Sequence, residues 1–238
     1  MFVPISDDNP LRSIKRPYVT MALIALNVLF FLAEVTPPGQ AMAASFAIVP
    51  DELLRVRILG GPANGPYDAV SVPEGLTLLT YMFLHGDPLH LAGNMLFLWV
   101  FGDNVEDAMG HVRYLIFYLL CGIAASMTHA AMLPTSTLPL IGASGAVAGV
   151  ITAYLLLHPH VRVWVLAFRF FPLQITASWA LGAWVLSQFA MIGLQKAGLD
   201  VGPVAWWAHI GGFIAGGLLV LVMRRPGVPL FDRPRHVA

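Results

Sequence analysis

Residues 114–161 contain no Asp, Glu, Lys or Arg. A helix needs about 20 apolar residues to cross the roughly 30 Å hydrocarbon core of a bilayer, so this run is more than twice as long as one span requires. Pro134 and Pro139 lie inside the run, and proline ends or kinks a helix. We therefore expect two membrane helices here, over about residues 112–133 and 144–157.

Other apolar runs predict four further membrane helices. Only 11% of the residues are charged and 58% are hydrophobic, whereas soluble domains carry about 25% charged residues. The expected fold is an all-α, six-helix membrane bundle with a long extramembrane loop over residues 39–80, which includes a short amphipathic helix near 51–59. The other four spans are expected at residues 17–35, 88–102, 173–194 and 205–223.

Basic residues are distributed unequally between the two sides of such a bundle. With six spans, ten Lys and Arg residues lie on the side of both termini and three on the other side. The positive-inside rule then predicts cytoplasmic termini. Residues 1–16 are expected to be a cytoplasmic segment, 17–225 the six-helix domain and 226–238 a short cytoplasmic tail. No cleavable signal peptide or appended domain is evident, which favours the inner membrane of a bacterium.

Net charge and cysteine content make two classes of protein improbable. The formal net charge is zero, so we expect no nucleic-acid partner. Cys121 is the single cysteine, which excludes an intrachain disulfide and a cysteine-based metal cluster. Because it lies in an apolar run, Cys121 is expected to be a small core residue.

Three polar residues lie at similar depths in their predicted helices. Ser144, His209 and His90 each precede the cytoplasmic end of the helix by 13–15 residues, which is on the order of 20 Å at 1.5 Å per residue. In a core of about 30 Å they would lie roughly 10 Å below the outer surface. Ionisable residues at that depth usually face a bundle interior or a water-filled cavity and indicate function.

These residue types suit acyl-transfer chemistry. Ser144 opens the fourth predicted helix, where free backbone N–H groups could stabilise an oxyanion. His209 could accept the serine proton. His90 and Asn94 share one helix face and could donate further hydrogen bonds to the oxyanion. Because no acidic residue is expected at this depth beside His209, the sequence predicts a Ser–His dyad.

Small residues could bring the two reacting groups together. Gly145 and Gly149 are four apart on the fourth helix, as are Gly212 and Gly216 on the sixth. Such faces allow close packing of membrane helices. Each motif also has a purely structural explanation: an N-cap serine, an interhelical hydrogen bond from the histidine, and polar contacts that join helices.

The motifs together resemble those of the rhomboid family of intramembrane serine proteases, over about residues 15–225. They occur in the order His90-x-x-x-Asn94, Gly142-x-Ser144-Gly145 and Ala208-His209-x-x-Gly212-x-x-x-Gly216.

The resemblance implies an endopeptidase that cleaves transmembrane helices of other proteins near the outer face of the membrane. The expected partners are such substrates and the lipid bilayer, and no metal or cofactor is implied. The oligomeric state is left open. The implied roles are nucleophile for Ser144, base for His209, oxyanion donors for His90, Asn94 and the Ser144 amide, and support of the site for Gly142, Gly145 and Gly212.

Two departures from the family pattern affect how the site is held. Many rhomboids have Trp-Arg where this chain has Leu76-Thr77, and an aromatic residue where it has Ala148. The aromatic residue stacks on the catalytic histidine, so we expect either that other packing, such as Trp206 or Trp207, holds His209 or that the dyad is looser. Two other family positions are expected to be structural: His85 in the first long loop, and Glu106 at the cytoplasmic end of the second helix.

Three alternatives remain open. A catalytically inactive relative that binds membrane clients would usually lack Ser144 or His209, and this chain has both. A transporter or channel would usually carry a midplane charge or an inverted repeat, neither of which is evident. A structural membrane protein would require the matched depths and the three motifs to be coincidental.

Overall fold

A computed structural model describes residues 2–59, 68–167, 171–202 and 204–232 of the 238-residue chain. This part of the chain is mostly helical, with one small sheet. The elements in chain order are β1 (Phe2–Asp7), α1 (Tyr18–Glu34), α2 (Pro37–Phe46), α3 (Pro50–Leu59), α4 (Glu74–Thr80), a 3₁₀ turn (Tyr81–Phe83), α5 (Pro88–Met109), α6 (His111–Met132), α7 (Ser144–Leu157), β2 (Arg162–Ala167), β3 (Phe171–Thr176), α8 (Ala177–Lys196) and α9 (Trp206–Met223).

Three of the described helices, α6, α8 and α9, are long and apolar enough to cross a membrane. α1 and α2, which meet at a bend of 120°, would together make a fourth. The six spans expected from the sequence are therefore not established by length and composition. α7 is an apolar helix of only 14 residues, about 21 Å long against a core of about 30 Å. α5 carries polar residues at both ends.

The predicted bounds agree closely for α1, α6, α7 and α9. α2 begins at Pro37 because proline suits the first turn of a helix. The amphipathic helix expected near 51–59 corresponds to α3. Two predicted bounds are wrong. α5 continues to Met109 instead of ending near residue 102, and the fifth apolar helix begins at Ala177 instead of residue 173.

The expectation of an all-α chain is also wrong, because three antiparallel strands form a sheet in the order β1-β2-β3. β2 alternates in the manner of a half-buried strand: Val163 and Val165 are buried, whereas Arg162 and Trp164 are exposed. Val163 pairs with Asp7 of β1. The sheet thereby joins the amino-terminal segment to the connection between α7 and α8.

The centre of the bundle is formed by α9, which packs most extensively on α6 and α7. Cys121 of α6 is fully buried there, which confirms its predicted place in the core. The largest fully buried side chains include Tyr81, Tyr114, Tyr118 and Tyr154. The Tyr81 hydroxyl donates to the carbonyl of Gly122 at 2.7 Å, so a buried polar group has its partner.

Two acidic residues at the end of α5 fasten the amino-terminal segment. Glu106 is fully buried and accepts hydrogen bonds from the Val19 and Thr20 amides at 3.0 and 2.8 Å, at the positive end of α1. Asp107 accepts from the amides of residues 12–14. The expected structural role of Glu106 is confirmed, and these bonds explain why carboxylates lie inside α5.

Candidate active site

Backbone contact between α7 and α9 brings the candidate nucleophile and base together. A Cβ atom on Gly212 would overlap the carbonyl oxygen of Gly145, and one on Gly216 would overlap the backbone of Gly149. Two helices approach this closely only where glycine leaves out the side chain. The predicted packing of the two glycine pairs is therefore confirmed.

Ser144 and His209 lie in the first turns of α7 and α9. The Ser144 Oγ is 2.8 Å from Nε2 of His209, within hydrogen-bonding distance. His209 is 6% exposed, and Ser144 is half-buried. A serine hydroxyl within hydrogen-bonding distance of an imidazole is one arrangement that can activate a nucleophile.

A residue that the sequence analysis did not single out completes this chain of hydrogen bonds. The Oε1 atom of Gln188, on α8, is 2.7 Å from Nδ1 of His209. Gln188 is 3% exposed. The expected dyad thus has a third polar partner, a neutral amide. The signal in the sequence was an isolated glutamine in the middle of an apolar helix, which usually finds a partner on another helix.

Aromatic rings hold His209 where the family's stacking residue is absent. Ala148 is fully buried and lies in a cluster with Trp206. The Trp206 ring meets the imidazole edge-on at 6.1 Å between centroids, and Trp184 of α8 lies at 5.9 Å. Trp207 instead contacts the ammonium group of Lys196. Of the two tryptophans expected beside His209, Trp206 is present, and Trp184 was missed.

His90 and Asn94 lie beside the turn that precedes Ser144. Gly142 adopts a positive φ of 116°, and a Cβ on it would meet the His90 ring at 2.7 Å and Asn94 Nδ2 at 3.8 Å. The turn thus needs glycine for its conformation and for its contact with α5. Both candidate oxyanion donors are therefore close to the backbone that leads into the serine.

His85 positions Asn94 from the loop before α5. The Asn94 Nδ2 group donates to Nε2 of His85 at 3.0 Å. Burial, assisted by the neighbouring His90, lowers the pKa of His85 to about 4, so its neutral ring can accept this bond. The backbone N–H of His85 also donates to Glu34 at the end of α1, at 3.0 Å. His85 therefore connects the first loop with α1 and α5, consistent with the structural role expected of it.

The departure at Leu76-Thr77 falls on α4, away from the serine–histidine pair. Leu76 is half exposed, whereas Thr77 is buried and its hydroxyl donates to the Glu74 carbonyl at 2.7 Å. Within the described ranges, no group of three or more His, Cys, Asp or Glu side chains is arranged to hold a metal ion.

The fold and the site define an integral membrane protein with a serine–histidine pair held between packed helices. The chain belongs to the rhomboid family, because the family model described as Rhomboid domain matches residues 73–226. That range contains every candidate site residue.

Relatives of the chain include both active and inactive proteins by name. RHOMBOID-like protein 4 of Arabidopsis thaliana is 32% identical over 154 residues, which are 63% of this chain and 34% of that protein. Rhomboid protease GluP of Bacillus subtilis (strain 168) is 34% identical over 141 residues, 59% of this chain and 24% of that protein. Inactive rhomboid protein 1 of Drosophila melanogaster is 33% identical over 93 residues, which are 39% of this chain and 6% of that protein. The chain spans less than half of each of these relatives.

Proposed function

We propose that this chain is an intramembrane serine endopeptidase that hydrolyses peptide bonds in or near the transmembrane helices of membrane-protein substrates. The observation that carries the proposal is the 2.8 Å contact between Ser144 Oγ and His209 Nε2. Membership of a family that includes a named protease supports it.

In the proposed reaction, Ser144 attacks the carbonyl carbon of the scissile bond while His209 accepts its proton. The oxyanion receives hydrogen bonds from the Ser144 amide, at the amino end of α7, and from His90 and Asn94. One N–H of the Asn94 amide is engaged by His85, which leaves the other for the substrate. His209 then protonates the leaving amine, and water hydrolyses the acyl-enzyme. No step needs a metal or a cofactor.

The substrate must unwind before it can react, because the peptide bonds of a membrane helix are hydrogen-bonded within the helix. Helix-breaking or small residues near the scissile bond should therefore favour cleavage. By analogy with the family, we propose entry between α5 and α8. Six spans, cytoplasmic termini and a bacterial inner membrane also belong to this proposal, supported by the ten-to-three distribution of basic residues.

The test is cleavage of a model single-span membrane protein in liposomes by the wild type and by Ser144→Ala and His209→Ala. Both variants should lose about 10³-fold or more in kcat while keeping the wild-type thermal melt, because each removes a group that acts as part of one unit. Ser126→Ala is the matched control, since Ser126 is a buried serine bonded to a carbonyl of its own helix.

Covalent labelling separates this proposal from the client-binding alternative. A fluorophosphonate should label the wild type and the Ser126→Ala variant but not Ser144→Ala. A folded wild type that neither cleaves several substrates nor reacts with the probe would refute the peptidase proposal and favour an inactive rhomboid. Loss of activity of the purified protein on chelation would refute the metal-free reaction.

A further inference from the structure

Gln188 has two different surroundings at the two ends of its amide. Its Oε1 atom lies 2.7 Å from Nδ1 of His209 on α9. Its Nε2 atom lies 3.1 Å from the carbonyl oxygen of Trp184 and 3.0 Å from Oγ of Ser187, both on α8. Contacts within α8 therefore hold the amide nitrogen, and the amide oxygen faces His209 on α9.

The contacts on α8 determine which way the amide is turned. The Trp184 carbonyl oxygen can only accept, so the atom that faces it must be the amide nitrogen. Ser187 donates its hydroxyl proton to that same carbonyl at 2.6 Å, which leaves oxygen lone pairs for the Gln188 nitrogen. Both neighbours thus require a donor, and the amide oxygen faces His209.

The orientation of the amide in turn determines the tautomer of the imidazole. Because the amide oxygen can only accept, Nδ1 of His209 must carry a proton. In the neutral ring Nε2 then has the free lone pair, and this is the atom 2.8 Å from Ser144 Oγ. A histidine that is to remove the serine proton must have this tautomer.

We propose that Gln188 is a positioning residue that fixes the tautomer and the orientation of His209 as the general base. The inference rests on the proposed peptidase function and extends it by a residue on a third helix. Gln188 acts on the base from the side opposite Ser144, as the aspartate does in soluble serine proteases, but without a charge.

A neutral amide is suited to this position. The other titratable side chains that bear on His209 are His90 on α5 and His129 on α6, and no described carboxylate is hydrogen-bonded to its ring. A carboxylate buried at membrane depth carries a large desolvation cost. An amide oxygen orients the ring and accepts from the imidazolium that forms during acylation, at a smaller cost.

Three variants test the proposal in the cleavage assay described above. Gln188→Met keeps the length of the side chain but removes the acceptor, and Gln188→Glu keeps an acceptor and adds a charge. Gln195→Met is the matched control, because Gln195 is an exposed glutamine on the same helix. Each protein is assayed for kcat, KM and the pH dependence of kcat/KM, together with a thermal melt.

We expect Gln188→Met to lower kcat by about 10- to 100-fold with little change in KM, the size of effect seen when functional histidines lose their outer hydrogen bond in metal enzymes. Gln188→Glu should recover most of the activity. The acid limb of its kcat/KM profile should move to higher pH by about one unit or more, because a carboxylate beside the ring favours the imidazolium form of His209. Gln195→Met should match the wild type.

The outcomes distinguish this inference from the function on which it rests. A wild type that cleaves, with a Gln188→Met variant of unchanged kcat, would overturn the role of Gln188 and leave the peptidase intact. If Gln188→Met does not fold, Gln188→Glu decides, since wild-type kcat together with an unchanged acid limb would mean that the glutamine only packs. A wild type that neither cleaves nor is labelled by the fluorophosphonate would refute the proposed peptidase function itself.

Discussion

His209 is held by two neighbours in different ways. Towards α7, the backbone of α9 at Gly212 and Gly216 lies directly against the backbone of Gly145 and Gly149. Towards α8, His209 is held by two side chains, the Gln188 amide and the Trp184 ring. The first interface sets the distance between Ser144 and His209, and the second sets how the imidazole of His209 is turned.

The two interfaces also differ in how much they can yield. Glycine contacts leave no side chain that could adjust, so any added atom must move backbone. α8 presents large apolar side chains to the outside, with Trp179 76% and Leu186 70% exposed. A helix held by a few polar and aromatic contacts can move at smaller cost than one in backbone contact. Substrate entry beside α8 would therefore disturb the orientation of the base before it disturbs the distance to Ser144.

Among changes at the two interfaces, the largest effect is expected from Gly212→Ala. Its methyl group would overlap the carbonyl oxygen of Gly145 and lie 3.0 Å from the carbonyl carbon, so α7 and α9 must separate. Overpacking of this kind costs about 1–3 kcal/mol. A displacement of about 1 Å at the reacting atoms can cost about 100-fold in rate. The measurements are a thermal melt and kcat for cleavage.

The control for that variant is Gly217→Ala on the same helix. There a Cβ would meet only side-chain atoms, and the nearest is the Thr152 methyl group at 3.4 Å. Stability and kcat should stay close to the wild type. Equal losses in both variants would mean that α9 is merely intolerant of substitution and that the contact with α7 has no special role.

An intermediate effect is expected from Trp184→Leu, which weakens the α8 side of the base. The Trp184 ring contacts Phe97 of α5 and Phe213 of α9, at 5.5 and 5.4 Å between centroids, as well as His209. Aromatic pairs contribute about 0.5–1.5 kcal/mol each. We expect a loss of about tenfold in kcat and a melting temperature lower by a few degrees.

Trp179→Leu serves as the comparison for Trp184→Leu, because Trp179 lies on α8 but faces outward. It should leave kcat within about twofold of the wild type. If kcat fell as far in Trp179→Leu as in Trp184→Leu, the aromatic contacts with the base would not be the cause, and α8 would have to act through its position in the lipid.

The two interfaces differed in how far the sequence could predict them. Glycines spaced four apart appear directly in the sequence, and they predicted that Ser144 and His209 would meet. The α8 side depends on Gln188 and Trp184, whose orientation follows from how a whole helix is rotated against its neighbours. The polar Gln188 indicates that one side of α8 faces another helix but not which helix, and the aromatic residue expected one turn after Ser144 is replaced by Ala148.

The fold, too, has parts that local sequence predicted and parts that depend on distant residues. Apolar length predicted α6, α7 and α9 closely, because a membrane helix must satisfy its own backbone and therefore depends little on distant residues. The sheet was missed because β2, which forms a hairpin with β3, pairs on its other edge with β1, more than 150 residues away along the chain. Its alternating pattern in Arg162–Ala167 is short and lies next to an apolar run. Pairing between distant segments is not visible in local hydropathy.

The smallest effect is expected from Gly182→Ala on α8, and its sign sharpens the comparison. A Cβ on Gly182 would meet nothing within 4 Å, in contrast to Gly212. Alanine is favoured over glycine inside a helix by about 0.8–1.0 kcal/mol, so the variant should raise the melting temperature slightly. If the base is oriented only by docking of Gln188 and Trp184, kcat should not change. A clear fall in kcat without loss of stability would instead mean that α8 must bend at Gly182 during turnover.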